Sequence, residues 1–172
     1  PCWSQSNRTI SVGVCGAAGA AATSVSEVTL EVIQGSPMKG AFTLQEGRYS
    51  DLIFLNASTP SVFFTAHPMT IARDLYVTFD IASGSAGVRL LPPPTQGALV
   101  APTGSLYNWQ STTPGEPIVV LHSNPSQSPN TNPNSKSPTV MPSGIWAGSV
   151  FLGNSSTSAL VRVMFELASD HV

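Results

Sequence analysis

The chain has 172 residues, of which 41% are hydrophobic and only 9% are charged, and its formal net charge is −2. An ordinary soluble domain carries roughly 25% charged residues, so Ser, Thr, Asn, Gln and backbone groups have to form most of this polar surface. The seven basic residues are scattered, which excludes the Lys and Arg clusters that nucleic acids require. No apolar run approaches the ~18 residues of a membrane span.

The first predicted element is a short hairpin flanked by the two cysteines. Cys2 and Cys15 enclose the segment Trp3–Val14, which is long enough to turn back on itself. We expect a disulfide between them, because such bonds persist in oxidising compartments. A loop of this length would contribute about 3 kcal/mol through chain entropy. Two reduced thiols are the alternative. The sequence starts at Pro1 without a methionine, so we expect a processed chain or a piece of a longer one.

Alternating apolar and polar residues are the clearest signal along the chain. Three segments show this period of two: Val28–Val32, Leu75–Ile81 and Val161–Leu167. Each predicts a half-buried strand with one wet face. Shorter apolar runs predict further strands at Leu52–Leu55, Val62–Phe64, Val88–Leu91, Ile118–Leu121 and Val150–Leu152. No sustained helical period interrupts them. The pattern predicts an all-β fold, an antiparallel β-sandwich or jelly roll.

Two polar or proline-rich segments interrupt the predicted strands. Residues 92–97 begin with three prolines and are predicted to be extended and stiff. Residues 123–144 are rich in Ser, Pro and Asn, and predict a long, exposed and mobile polar loop.

Similar stretches on both sides of residues 92–97 favour an ancient duplication. They occur in the same order: Val32–Pro37 with Val120–Pro125, Gly47–Asn56 with Gly144–Asn154, and Val77–Ser83 with Val163–Ser169. The sequence therefore predicts two tandem sandwich lobes, residues 1–91 and 98–172, joined by a hinge at 92–97. The alternative is a single sandwich domain over residues 1–172, whose strands share the usual alternation.

The reactive side chains show no catalytic spacing. Glu27 and Glu31, like Asp74 and Asp80, share the outer face of a strand, which favours solvated charges over the paired carboxylates of a glycosidase. The three histidines, His67, His122 and His171, lack the spacing of metal ligands. We therefore predict no catalytic residue, no metal and no cofactor.

One aromatic and polar cluster is a weak candidate for ligand binding. Tyr107, Asn108 and Trp109 are consecutive in a stretch rich in Gly and Pro. Exposed aromatic rings beside amides stack on sugar rings and bind their hydroxyls. Tyr49 and Trp146, in contrast, each precede a buried strand, and we interpret them as core anchors.

Three Asn-x-Ser/Thr sequons predict glycosylation sites at Asn7, Asn56 and Asn154, provided that the host glycosylates proteins. Asn56 and Asn154 occupy matching places in the proposed repeat. A shared turn is the alternative explanation for these two asparagines.

Low charge and many Ser, Thr, Pro and Asn residues are typical of the outer domains of non-enveloped virus capsids. With an early disulfide, they are also typical of bacterial pilus-tip adhesins, and no motif is specific to either class. Our first hypothesis is a non-enzymatic structural and attachment module that self-associates on a virion or cell surface. The alternative is an extracellular carbohydrate-binding or adhesin domain with a glycan or cell-surface receptor as partner. A β-sandwich hydrolase is a third hypothesis.

Overall fold

A computed structural model describes residues 2–6, 9–13, 38, 40–96 and 98–168. These residues form eleven strands and one 3-10 turn, Pro125–Gln127, and they contain no α-helix. The chain divides into two compact units, Pro1–Val32 and Ile33–Val172. The predicted all-β sandwich is confirmed for the larger unit, in which two sheets enclose one core.

The smaller unit contains the predicted hairpin. Strand β1 (Cys2–Ser6) pairs with β2 (Thr9–Gly13) in antiparallel register, with Cys2 opposite Gly13. Cys15 lies outside the described residues, so the disulfide stays a prediction. The predicted strand Val28–Val32 also lies outside them.

Nine strands form the larger unit. They are β3 (Phe42–Thr43), β4 (Ile53–Asn56), β5 (Ser61–Ala66), β6 (Leu75–Ser83), β7 (Ala86–Leu91), β8 (Trp109–Ser111), β9 (Ile118–Val120), β10 (Trp146–Leu152) and β11 (Ser158–Leu167). One sheet has the order β3-β5-β10-β7-β8, and the other has the order β4-β11-β6-β9. Sequence periodicity missed only the short strands β3 and β8.

The order of pairing defines a jelly roll. Strands β4 to β11 pair from the outside inward, β4 with β11, β5 with β10, β6 with β9 and β7 with β8, all antiparallel. This is one long hairpin rolled over on itself. The roll brings β11 beside β6 and β10 beside β7, which completes both sheets. Strand β3 joins the edge of β5 in parallel.

The predicted division into two lobes is wrong. Strand β10 lies between β5 and β7, and β11 lies between β4 and β6, so both sheets contain strands from before and after residues 92–97. The matched strands β6 and β11 pair with each other instead of occupying separate sandwiches. Their similarity follows from the alternation that any half-buried strand needs. The matched stretch Val32–Pro37 lies outside the described residues.

The core lies between the two sheets and is built by this alternation. In β6 and β11, the inward residues Leu75, Val77, Phe79, Val161, Val163 and Phe165 are buried, and the residues between them face outward. Trp146 is fully buried, which confirms its predicted place in the core. Its ring lies 5.6 Å from that of Trp109, centroid to centroid. Each large side chain buried in this way contributes roughly 1.5–3 kcal/mol.

The alternating strand directions place the connections at two ends of the sandwich. Residues 57–60, 84–85, 112–117 and 153–157 form short turns at one end, which we call the short-turn end. Residues 67–74, 92–108 and 121–145 form longer loops at the opposite end, which we call the long-loop end.

The polar loop after β9 is hydrogen-bonded to the loop before β8. The backbone N–H of Asn132 donates to the carbonyl of Asn108 at 2.7 Å, and its side-chain amide donates to the carbonyl of Tyr107 at 3.0 Å. Ser128 is buried, and its hydroxyl accepts a hydrogen bond from the N–H of Leu121. The prediction of an irregular loop is correct, but the prediction that it is simply exposed is wrong. Its asparagines and serines satisfy neighbouring backbone groups as well as meeting water.

Candidate functional site

The structure does not place the predicted aromatic cluster on the surface. Trp109 is fully buried against Trp146, and Asn108 is only 6% exposed. The amide of Asn108 donates to the hydroxyl of Ser137 at 3.1 Å and to a loop carbonyl. The expectation that Trp109 and Asn108 are exposed is therefore wrong, because strand alternation turns Trp109 into the core, and ligand binding by this cluster stays a prediction. Tyr107 remains half-buried, and its ring faces the guanidinium of Arg89 at 5.7 Å.

Two carboxylates have well-defined partners. Arg162 donates to Asp80 at 3.0 and 3.2 Å across the outer face of the β4-β11-β6-β9 sheet. Its guanidinium also covers the ring of Tyr49 at 4.3 Å, so Tyr49 is half-buried under a cation and does not lie deep in the core. Burial and the nearby Asp80 carboxylate raise the pKa of Tyr49.

Asp74 and His122 form the second pair, at the long-loop end. One carboxylate oxygen of Asp74 accepts from the backbone N–H of His122 at 2.8 Å and lies 2.7 Å from Nδ1 of the same residue. Burial by itself would raise the pKa of Asp74, but these two hydrogen bonds and the charge of His122 outweigh it, so the pKa lies below its ordinary value. The pair links the loop before β6 to the loop after β9.

Metal ligands do not converge in the described part of the chain, where no three His, Cys, Asp or Glu side chains form a metal-binding group. His67 lies half-buried in the loop after β5. Glu27, Glu31 and His171 lie outside the described residues.

The sequon asparagines differ in their surroundings. The side-chain oxygen of Asn56 accepts from the N–H groups of Ser58 and Thr59, each at 2.8 Å, and so closes the turn between β4 and β5. Asn154 is exposed in the turn between β10 and β11. Asn7 lies outside the described residues. Glycosylation stays a prediction for all three.

Large apolar side chains are exposed mainly at the long-loop end. Its three loops expose Met69 (84%), Ile71 (42%), Val100 (54%), Leu106 (46%) and Val140 (70%). The two other exposed large apolar residues in the described ranges, Leu52 and Phe54, belong to β4 or directly precede it. No residue of the four short turns is among them.

A groove of about 490 Å³ runs from the short-turn end onto the outer face of the β3-β5-β10-β7-β8 sheet. We call it the Arg89 groove. Its rim comes from the turns at 60–61, 85–86 and 153–155, and its floor carries Arg89, Gln110 and Phe151. No motif in the sequence predicted this site. The one available signal was a charged residue within the apolar run Val88–Leu91.

Arg89 is half-buried in this groove and is held in place. Its Nε donates to the side-chain oxygen of Gln110 at 2.8 Å, and its guanidinium carbon lies 3.6 Å from the centre of the Phe151 ring. No carboxylate among residues 40–96 and 98–168 pairs with it. Burial lowers the pKa of Arg89, against a smaller opposing effect from Tyr107. The groove therefore presents a cation that gains from an anionic partner.

A second hollow, of about 360 Å³, lies along residues 42–53. It is formed by the stretch from β3 to the start of β4. Arg48 in this hollow is exposed, and its guanidinium donates to the side-chain oxygen of Gln45 at 3.5 Å. The hollow brings no separate parts of the fold together, so we regard the Arg89 groove as the better candidate site.

Comparison with protein-family models, with curated proteins and with solved structures finds no match to this chain. The described residues also contain no helix that is long and apolar enough to cross a membrane. The jelly roll and the surfaces at its two ends are therefore the features that bear on function.

Proposed function

We propose that this chain is a non-enzymatic structural and attachment module of a virion or cell surface, and that its copies associate through the long-loop end. The observation that carries the proposal is the group of exposed apolar side chains there. Met69, Ile71, Val100, Leu106 and Val140 come from three separate loops that the fold brings to one end. Exposed apolar groups gathered in this way are typical of a contact surface.

The charge distribution supports a second copy of the chain as the partner. The three loops contain only three charged residues, Arg73, Asp74 and Lys136. The carboxylate of Asp74 is already hydrogen-bonded to His122. Two identical surfaces with so few charges meet with little repulsion and little desolvation of ions, and a depletion of charge is typical of interface centres.

The described polar groups support a structural role over hydrolysis. Asp80 is bound by Arg162, and Asp74 closes two loops through His122. Jelly rolls occur in virus capsids, lectins and cupins, so the fold alone does not choose among these functions. The low charge of 9% and the apolar loop surface favour the assembling role.

Sedimentation and light scattering over a concentration series test the proposal. The double variant Met69→Ser/Val140→Ser should weaken self-association by about tenfold or more, because buried apolar side chains contribute roughly 1.5–3 kcal/mol each. Phe54→Ser is the matched control, since Phe54 is 58% exposed on β4 and away from the three loops. A wild-type chain that stays monomeric at the highest attainable concentration would overturn the proposal.

A further inference from the structure

We propose that the Arg89 groove binds a saccharide that carries a carboxylate. The groove lies at the short-turn end and on the outer face of one sheet, so this inference goes beyond assembly through the long-loop end and does not depend on it. It assigns a chemical class of ligand to a site that the sequence did not reveal.

The cation supplies the first part of the argument. A guanidinium has five N–H donors, and one of those of Arg89 is used by Gln110. The remaining four lie on the two terminal nitrogens and have no partner among the described residues. Their fork matches the two oxygens of a carboxylate, and binding such a group compensates a half-buried charge.

The position of the guanidinium is fixed before any ligand arrives. Phe151 faces Gly87 across the β10–β7 ladder, and the missing side chain of Gly87 leaves room for the Phe151 ring. Arg89 lies on that ring and is held on its other side by Gln110. A side chain immobilised in advance loses less entropy on binding, which favours recognition of even a small ligand.

Neutral polar groups around the cation favour a sugar over a bare anion. The side chains of Ser85, Thr112, Asn154 and Ser155 line the groove, and none forms a hydrogen bond with another described residue. Hydroxyls and an amide are the groups that exchange hydrogen bonds with sugar hydroxyls. A groove of about 490 Å³ also exceeds the space that a small inorganic ion fills and lies in the range of small-molecule sites.

The test uses two sugars that differ at a single carbon. Titrations of the isotope-labelled chain, followed by amide chemical shifts, compare methyl β-D-glucuronide with its neutral counterpart, methyl β-D-glucoside. We expect the glucuronide to bind with a Kd of about 1 mM and the glucoside at least about tenfold more weakly. The shifts should centre on residues 85–89, 110–112 and 151–155. Sodium acetate serves as the probe for a bare carboxylate and should also bind at least about tenfold more weakly.

Variants separate the proposed role of Arg89 from a general effect of charge. Arg89→Lys keeps the positive charge but loses the fork, and should weaken glucuronide binding by about tenfold. Arg48→Lys, the matched control at an exposed arginine, should leave it unchanged. Asn154→Ala alters only an exposed turn residue and should weaken binding about threefold without affecting the fold.

Three outcomes would overturn the inference. They are equal binding of glucuronide and glucoside, acetate binding as tight as that of the glucuronide, and full binding by a folded Arg89→Lys variant. None of them affects the assembly proposal, which sedimentation tests at the other end of the molecule.

Discussion

The two ends of the sandwich share the same eight strands but differ in almost every surface property. The short-turn end has connections as brief as residues 84–85, exposes no large apolar side chain in its turns and borders the Arg89 groove. The long-loop end has connections as long as residues 121–145 and exposes five large apolar side chains. One framework therefore presents a polar, cation-bearing groove at the short-turn end and the adjoining sheet face, and an apolar surface at the long-loop end. Such a division suits a module that binds on one side and assembles on the other.

The largest expected effect is a loss of folding stability when the core next to the long-loop end loses a buried ring. Trp109→Ala should destabilise the fold by about 3–5 kcal/mol, because the variant loses a fully buried ring packed on Trp146. Urea unfolding measures this change. Leu106→Ala, at a 46% exposed residue of the loop that precedes β8, is the control and should cost less than about 0.5 kcal/mol.

This prediction also separates a core residue from a ligand residue at position 109. A Trp109→Ala variant with unchanged stability that no longer binds sugars would contradict the core role and restore the ligand interpretation. The expected loss of stability means that loss of binding in this variant alone carries no information about a site.

The next effect concerns the short-turn end. Gly87→Ala should cost about 1–3 kcal/mol and weaken glucuronide binding, since the added Cβ would overlap the Phe151 ring that supports Arg89. Thermal unfolding and the sugar titration measure the two consequences. Gly104→Ala is the matched control for stability, because its Cβ would meet only one terminal nitrogen of Arg89, at an ordinary 3.8 Å. Equal behaviour of the two variants would show that the Phe151 support is dispensable.

The smallest effect concerns pH and the long-loop end. The lowered pKa of Asp74 means that its stabilising contribution is fully present above its ordinary value of 3.8 and is lost as the pH falls through the lowered folded value. Asp74→Asn should therefore cost up to about 1 kcal/mol at neutral pH and almost nothing near pH 2. Urea unfolding at the two pH values measures the difference. Glu166→Gln, at an exposed carboxylate of β11, serves as the control. A loss that is the same at both pH values would remove the Asp74–His122 interaction as its cause.

The sequence predicted most of the strands, because the signal for a half-buried strand is local. The runs Leu75–Ile81 and Val161–Leu167 became β6 and β11 almost unchanged, and the segment between the cysteines became the β1–β2 hairpin. The outward place of Asp80 and the buried place of Trp146 were predicted as well. Each of these depends on neighbours only a few residues away along the chain.

The partners of each strand and both surfaces depended on the tertiary structure. Alternation is the same for every half-buried strand, so it suggested two lobes where β10 and β11 in fact enter the sheets of the earlier strands. Trp109 looked like a surface aromatic because its stretch is rich in Gly and Pro, yet strand pairing turns it inward. The Arg89 groove gathers side chains from four separate parts of the chain. Local pattern determined which segments are strands and which faces are apolar. Long-range pairing decided which strands are neighbours and which side chains share a surface, because contacts between distant residues leave no periodic trace in a single sequence.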